Sequence, residues 1–198
     1  MNGNVLVTGS HGYLASALTS QLCCNIIEYP GDVREYIPHD NLDGVLHFAS
    51  PSDNTEFQDR HRTVTTIVDG TINMLRIARE NNCKIVYAST QGVEFIDKVV
   101  NDYVVSKLCM ENYIKVSYNK YVILRIPRVY SKCRKKGLMK QIRENTITTK
   151  DMDNVVNYLN LQEFISQTLP VLKLENVTHR YNVTRTEKIK DIIQWVKE

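Results

Sequence analysis

The stretch VLVTGSHGYLASAL (5–18) decides the fold of this chain. A short β-branched run, Asn4–Thr8, ends at Gly9 and predicts a buried strand. Apolar residues then recur at helical spacing from Tyr13 to Leu22, which predicts an amphipathic helix. A strand that passes through a glycine turn into a helix is the typical opening of a βαβ unit.

The turn between this strand and this helix has the composition of a phosphate-binding loop. Gly9 permits a tight turn, Gly12 lets a pyrophosphate approach the backbone, and Ala15 is small enough for close packing of helix on strand. The start of the helix then offers unpaired N–H groups and a positive dipole to phosphate. An ordinary strand–helix turn is the alternative interpretation.

Glu28 ends the second predicted strand, nineteen positions after Gly9. An acid at about this distance typically holds the adenosine ribose diol of a dinucleotide. A carboxylate there repels a 2′-phosphate, so the sequence favours NAD over NADP as the cofactor. The alternative is that Glu28 only solvates the end of a strand.

Strands and helices alternate over the first 130 residues. Further strands are predicted at 25–29, 44–48, 84–88 and 121–126, and further helices at 64–80 and 104–116. The helix at 64–80 is expected to turn one set of side chains inward, namely Ile67, Val68, Thr71, Ile72 and Leu75. This order of elements predicts an α/β protein of the Rossmann type, with a doubly wound parallel sheet.

The character of the sequence changes after Tyr130. A basic run comes first, followed by predicted helices at 161–169 and 186–197. We therefore expect two units, a Rossmann domain at 1–130 and a small substrate-binding lobe at 131–198 that is interwoven with it. The basic run is interpreted as a solvated surface, because no aromatic residues interleave with it as they do in nucleic-acid platforms.

Composition limits the classes of protein to which the chain can belong. Its 198 residues are 42% hydrophobic and 24% charged, close to globular averages, and the net charge of +3 gives no reason to expect a nucleic-acid partner. We expect neither a secretory signal nor a membrane span, and hence a soluble, cytoplasmic protein. The five cysteines lack metal-ligand spacing, so we expect reduced, buried thiols and no metal.

Tyr103 and Lys107 lie four positions apart on a predicted helix and therefore share one face. A nearby ammonium group favours tyrosinate, which lowers the pKa of the phenol from about 10 toward neutrality. Such a tyrosine exchanges a proton with a substrate hydroxyl while hydride moves to or from a nicotinamide. Thr90, at the end of the preceding strand, is placed to orient the substrate oxygen.

These motifs, taken in order, resemble the extended short-chain dehydrogenases, the NAD-dependent epimerase/dehydratase family that acts on nucleotide sugars. The resemblance is carried by VLVTGSHGYLASAL (5–18), GDVRE (31–35), GVLHFAS (44–50), VDGTINMLRIA (68–78), KIVYAST (84–90), YVVSK (103–107), VILRIPRVYS (122–131), YLNLQEFIS (158–166) and RYNVTRTEKIKDIIQWV (180–196). In that context the basic run after Tyr130 is also suited to the diphosphate of a nucleotide sugar.

The resemblance implies a set of site residues. Pyrophosphate would bind at Gly9, Ser10, His11, Gly12, Tyr13 and Leu14. Glu28 would hold the adenosine ribose, and Asp32 the adenine amino group. The other cofactor contacts would come from Phe48, Ala49, Ser50, Lys107, Pro127 and Val129, and the catalytic triad would be Thr90, Tyr103 and Lys107.

Departures from the family pattern narrow the expected reaction. Ile67 stands where the family often has asparagine, which leaves the role of that asparagine in doubt. Gln91-Gly92 replaces the Asp-Glu of the dehydratases, and this replacement argues against dehydration. The loop between Thr90 and Tyr103 is short, and the chain lacks both a strand–helix unit after Glu28 and most of the substrate lobe. The compact outline is similar to the dTDP-4-dehydrorhamnose reductase branch.

We therefore predict an NAD-dependent epimerase or reductase of a nucleotide-linked sugar. The alternative is a non-catalytic, NAD-binding scaffold or regulatory protein derived from the same family. His47 is interpreted as a packed, hydrogen-bonded residue rather than a catalytic one, and His11 as facing either phosphate or solvent. The resemblance also implies a homodimer through the helices at 64–80 and 104–116.

Overall fold

The computed structural model of the chain describes residues 3–51, 55–98 and 100–197. The strands are Asn4–Thr8 (β1), Asn25–Glu28 (β2), Gly44–His47 (β3), Lys84–Thr90 (β4), Tyr121–Ile126 (β5), Val129–Tyr130 (β6), Val155–Asn160 (β7), Val177–Arg180 (β8) and Arg185–Lys188 (β9). The α-helices are Tyr13–Thr19 (α1), Arg60–Glu80 (α2), Asp102–Ser117 (α3), Leu138–Arg143 (α4), Leu161–Val171 (α5) and Ile189–Lys197 (α6).

The main sheet has six strands in the order β2-β1-β3-β4-β5-β8, and every neighbouring pair is parallel. From β1 the chain crosses outward to β2 and then returns to β3 on the other side of β1. A crevice therefore opens at the carboxyl ends of β1 and β3, where ligands bind in open α/β sheets. This arrangement confirms the predicted doubly wound sheet.

Helices cover both faces of the main sheet. On one face α1 and α5 contribute Ala15, Leu18 and Phe164 to a core with the strands. On the other face α2 and α3 contribute Met74 and Ile114 to a second core. Burial of the strands on both faces explains why they are nearly continuous apolar runs in the sequence.

A second, smaller sheet has the order β6-β7-β9, in which β6 and β7 are parallel and β7 and β9 are antiparallel. With α4 and α6 it encloses a core that includes Tyr130, Met139 and Ile192. The stretch from 131 onward also returns one strand, β8, to the main sheet and one helix, α5, to its core. Residues after 131 therefore contribute to both sheets.

Several helix boundaries differ from the predicted ones. The first helix ends at Thr19 rather than residue 22. Helices α2 and α3 start earlier than their apolar patterns, because the side chains of Asp59 and Asn101 cap them by accepting hydrogen bonds from backbone N–H groups of the first turn. The helix expected at 161–169 continues to Val171, with Pro170 in its last turn.

The helix expected from residue 186 begins instead at Ile189. Residues 185–188 form β9, which pairs with β7 in a register that places Thr186 opposite Asn157. The strand is polar throughout and lies at the edge of the small sheet, so its sequence carries no alternating pattern. Tertiary pairing therefore decides its conformation.

Two expectations about burial were wrong. Only Cys83 among the five free cysteines is buried; Cys24 is partly buried, and Cys23, Cys109 and Cys133 are exposed. Ile72 of α2, expected to face inward, is 41% exposed. Its helical position is on the outer edge of the stripe that packs against the sheet. No helix within the described ranges is long and apolar enough to cross a membrane.

Candidate functional site

The glycine loop folds tightly on itself and against the end of β3. Gly9 has a φ of +68°, and a Cβ atom there would lie 2.9 Å from the backbone nitrogen of Ala49. At Gly12 a Cβ atom would lie 2.9 Å from the carbonyl oxygen of Gly9, which accepts a 2.8 Å hydrogen bond from the Gly12 N–H. Both positions therefore require glycine for the loop itself to close.

A groove of about 590 Å³ opens beside this loop, at the crevice between β1 and β3. Of the predicted cofactor residues, Gly9, Asp32, Ala49 and Ser50 line it. Sequence reasoning missed other lining residues, among them Tyr29, Thr55, Glu56, Asp59, Arg62 and Thr66. The strands position this groove, and its shape and place suit an elongated dinucleotide.

Ionic contacts lie beside the groove, at its lining residue Asp32 and at Glu28, which directly precedes the lining residue Tyr29. The exposed side chains of His11 and Glu28 approach to 3.4 Å between Nε2 and Oε2. Asp32 accepts hydrogen bonds from Arg34, at 2.9 Å from its backbone N–H and 3.0 Å from its Nε. These bonds lower the pKa of Asp32 to about 2. Asp32 is therefore a carboxylate already engaged by a guanidinium group.

Tyr103, in the first turn of α3, meets the ends of two strands. The side chains of Ser50, just beyond β3, and Thr90, the last residue of β4, lie near its phenol and act to lower its pKa. Ser50 Oγ also donates to the Pro51 carbonyl at 3.0 Å, and Thr90 Oγ1 accepts from the N–H of Gly92 at 3.2 Å. The groove and the candidate acid/base thus share Ser50.

The pKa of Tyr103 differs from the expectation. Burial raises it to about 12, and this effect outweighs the lowering by hydrogen bonds with Ser50 and Thr90 and by the charge of Arg134. The expected lowering was wrong, because Lys107 directs its ammonium group elsewhere. Its Nζ lies 5.8 Å from the centroid of the Tyr103 ring.

Lys107 is almost completely buried beneath the end of β4. Its Nζ donates a 2.6 Å hydrogen bond to the carbonyl of Ala88 and lies 4.7 Å from the centroid of the Tyr87 ring. Burial lowers the pKa of Lys107 to about 7, and the charge of Glu111 opposes this shift. A lysine in this environment changes its charge near neutral pH.

Glu111, one helical turn beyond Lys107, is a buried residue that sequence reasoning missed. It is fully buried and accepts hydrogen bonds from Ser89 Oγ at 2.6 Å and from Arg125 Nη2 at 2.7 Å. Arg125 also reaches Glu94 at 3.2 Å. Because Ser89 lies between Ala88 and Thr90, this network fixes the strand end that holds Lys107 and Tyr103.

The small lobe contacts the glycine loop directly. Tyr13 donates a 2.7 Å hydrogen bond from its hydroxyl to Ser131 Oγ, and the guanidinium of Arg134 lies 5.2 Å from the Tyr13 ring centroid. Lys136 pairs with Glu56 at 2.7 Å across the groove. Part of the basic run therefore faces the site rather than bulk solvent.

The remaining residues predicted to contact the cofactor do not all face the groove. Leu14, Phe48 and Val129 pack in the core on the α1 side of the sheet rather than facing the groove. Ser10 is partly buried in the glycine loop, and Pro127 is buried between β5 and β6. His47 is packed and hydrogen-bonded, as predicted. Over the ranges that the structure describes, no three metal-ligating side chains cluster.

The comparisons with known proteins agree with this architecture. The model of the NAD dependent epimerase/dehydratase family matches residues 23–165, a span that begins after the glycine loop. No curated protein sequence matches the chain.

Solved structures share the fold at low sequence identity. The chain is similar to UDP-glucose 4-epimerase of Thermus thermophilus, solved with NAD (17% identity, TM-score 0.79, covering 98% of this chain and 82% of that one). It is also similar to dTDP-4-dehydrorhamnose reductase of Bacillus anthracis, solved with NADP (18% identity, TM-score 0.79, covering 99% of this chain and 80% of that one). A third similar structure is ADP-L-glycero-D-manno-heptose-6-epimerase of Helicobacter pylori (18% identity, TM-score 0.80, covering 99% of this chain and 82% of that one).

Proposed function

The chain belongs to the NAD dependent epimerase/dehydratase family, and from that membership we propose that it is an NAD(P)-dependent epimerase or reductase acting on a nucleotide-linked sugar. One observation carries the proposal: the groove and the candidate acid/base are continuous. Ala49 touches the glycine loop, and Ser50 both lines the groove and lies near the phenol of Tyr103. A dinucleotide in the groove would end beside Tyr103.

The names of similar structures support the same class of reaction. They include a UDP-glucose epimerase with NAD and a dehydrorhamnose reductase with NADP. Glu28, which directly precedes the groove-lining residue Tyr29, supports NAD rather than NADP, because its carboxylate would face a 2′-phosphate.

Tyr103 would act as a proton donor to the substrate oxygen. With its pKa raised to about 12, the phenol holds its proton at neutral pH. Thr90 and Ser50 orient the hydroxyl, and Lys107 supplies positive charge beneath the ring when it is protonated. A bound nicotinamide dinucleotide supplies hydride chemistry to the site. Protonation of a carbonyl oxygen during hydride addition yields an alcohol, so these residues favour reduction of a keto sugar.

The second candidate, a non-catalytic cofactor-binding scaffold, is favoured by one contact. Phe57 stacks on the ring of Tyr103, with centroids 4.6 Å apart, and covers one face of the phenol. In a scaffold this contact would be permanent, whereas an enzyme must let substrate reach the hydroxyl.

Cofactor titration followed by substrate turnover tests the proposal. We expect the protein to bind NADH, with binding lost in Gly12→Asp, and to turn over a member of a nucleotide-sugar panel. Tyr103→Phe should reduce turnover by about 100-fold or more while retaining NADH binding. Tyr113→Phe is the matched control, since Tyr113 lies on the exposed side of the same helix. Binding without turnover would favour the scaffold, and full activity in Tyr103→Phe would refute the mechanism.

The outer surface of α2 and α3 supports a homodimer as the partner. Exposed apolar side chains are concentrated on these two helices, namely Val64, Ile72, Val105, Tyr113 and Val116. A two-fold axis would bring the same two helices of each copy together.

A further inference from the structure

His47, the last residue of β3, is a buried imidazole outside the proposed chemistry. It is 1% exposed. Its Nδ1 lies 2.7 Å from Thr8 Oγ1 at the end of β1, and its Nε2 lies 3.2 Å from Thr71 Oγ1 on α2. The Tyr87 ring stacks against it at 5.8 Å. The imidazole thus links two strand ends to a helix.

The hydrogen-bond donors and acceptors around His47 determine its tautomer. Thr71 Oγ1 donates to the carbonyl of Ile67 at 2.5 Å, and a carbonyl only accepts. The single hydroxyl proton of Thr71 is therefore used, so the contact with His47 requires a donor at Nε2. A neutral imidazole carries one N–H, which leaves Nδ1 as the acceptor of the Thr8 hydroxyl proton.

The surroundings keep the imidazole neutral. Burial lowers the pKa of His47 to about 3, and the nearby charge of Lys107 lowers it further. The other titratable group packed against the ring is the phenol of Tyr87, whose pKa burial raises well above its usual value. His47 is therefore not a proton shuttle at physiological pH.

The chain of hydrogen bonds ends in the cofactor groove. The backbone N–H of Ala49 donates to Thr8 Oγ1 at 3.1 Å, so Thr8 is held between Ala49 and His47. Both Thr8 and Ala49 line the groove, and Ala49 is the residue against which Gly9 closes. The neighbouring Ser50 contacts Tyr103. A displaced imidazole would release the Thr8 hydroxyl, which accepts the Ala49 N–H at the edge of the groove.

We propose that His47 is a positioning residue, locked as the neutral Nε2–H tautomer by Thr71, that holds Thr8 and Ala49 in place for the dinucleotide. The cofactor part of this inference rests on the proposed function, whereas the tautomer does not. The resulting chain of hydrogen bonds runs from the Ala49 N–H through the side chains of Thr8, His47 and Thr71 to the Ile67 carbonyl. Its direction follows from the donors and acceptors alone.

Nitrogen NMR of histidine-labelled wild-type protein tests the tautomer. His47→Asn identifies the signals by their loss among those of the five histidines. We expect a protonated Nε2 and a bare Nδ1, unchanged from about pH 5 to about pH 8. A protonated Nδ1, or titration within that range, would overturn the proposal.

NADH titration tests the positioning role through Thr71, which is remote from the groove. Thr71→Val removes the acceptor for Nε2–H and should weaken NADH binding by about 3- to 30-fold, whereas Thr71→Ser keeps the hydroxyl and should bind like wild type. Equal binding by Thr71→Val would overturn the role while leaving the proposed function intact. If wild type bound neither NADH nor NADPH, the proposed function would fail and the positioning role with it.

Discussion

The ring of Phe57 lies nearly parallel to that of Tyr103, with centroids 4.6 Å apart and planes inclined by 25°. Phe57 belongs to the short 3-10 helix Glu56–Gln58, between β3 and α2. Its neighbour Glu56 pairs with Lys136 of the small lobe. The candidate acid/base is therefore covered by a segment that is itself tied to the lobe across the groove.

Removal of this ring should make Tyr103 easier to ionise. Burial is the main cause of its raised pKa, so Phe57→Ala should shift the pKa from about 12 toward the ordinary value of about 10. Carbon-13 NMR of labelled tyrosine, with Tyr103→Phe to identify the signal, would measure the change. Phe95→Ala is the control, because Phe95 is an exposed ring in another 3-10 helix. An unchanged Tyr103 titration in Phe57→Ala would mean that other groups exclude water from the phenol.

The charge of Glu111 should matter for stability far more than that of a surface glutamate. Glu111→Gln keeps the shape of the side chain but leaves Arg125 without its fully buried partner. We expect a loss of about 3–5 kcal/mol in the free energy of unfolding, measured with urea. Glu80→Gln is the matched control, since Glu80 pairs with Arg76 on the exposed side of α2 and should change little. Equal losses in the two variants would contradict the importance of the buried network.

Local patterns were sufficient to predict strands β1 to β5 of the main sheet, but not β8. Short β-branched runs marked β1, β4 and β5, and parallel order then placed Thr90 at the same edge as the glycine loop, whereas Ala49 and Ser50 were implied only by the family resemblance. The position of Thr90 follows from chain order, because the carboxyl ends of parallel strands lie at one edge. It required no knowledge of side-chain packing.

Contacts between distant parts of the chain were not predictable from the sequence. Phe57 and Glu111 lie in segments whose patterns indicate only a turn and a helix, and nothing local identifies Tyr103 or Arg125 as their partners. The balance of burial and charge on Tyr103 was misjudged for the same reason. Helical spacing brings Lys107 to the correct face, but the Ala88 carbonyl, which holds its ammonium, is found only in the folded structure.

Glu28 should set the preference between NADH and NADPH. Glu28→Gln removes the charge that would repel a 2′-phosphate, so the affinity for NADPH relative to NADH should rise by about fivefold at low salt. Fluorescence titration with both cofactors would measure the ratio. Glu35→Gln serves as the control, because Glu35 is also an exposed carboxylate but lies beyond the end of β2, where the sequence predicts no contact with the ribose. A ratio that stays constant would exclude Glu28 as the selector.

Lys107 should make stability depend on pH. Burial lowers the pKa of Lys107 from its ordinary value of 10.5 to about 7, so between these two values the unfolded chain binds a proton that the folded chain does not. Stability should therefore rise with pH from about 7 to about 10.5 and level off below about 7. Lys107→Met lacks the titrating group. The difference in unfolding free energy between wild type and this variant should therefore change with pH over the same pH range. A difference independent of pH would show that Lys107 keeps its charge when buried.

The apolar outer surface of α3 should determine the oligomeric state. Val105 is 46% exposed on this helix, and a lysine at the centre of a two-fold contact would place like charges from both copies close together. Val105→Lys should convert a dimer to a monomer in light scattering after size-exclusion chromatography, with NADH affinity retained because the groove is on another surface. Val155→Lys is the control, since Val155 is 57% exposed on β7 of the small sheet. A monomeric wild type, or a Val105→Lys variant that remains dimeric, would rule out this surface as the interface.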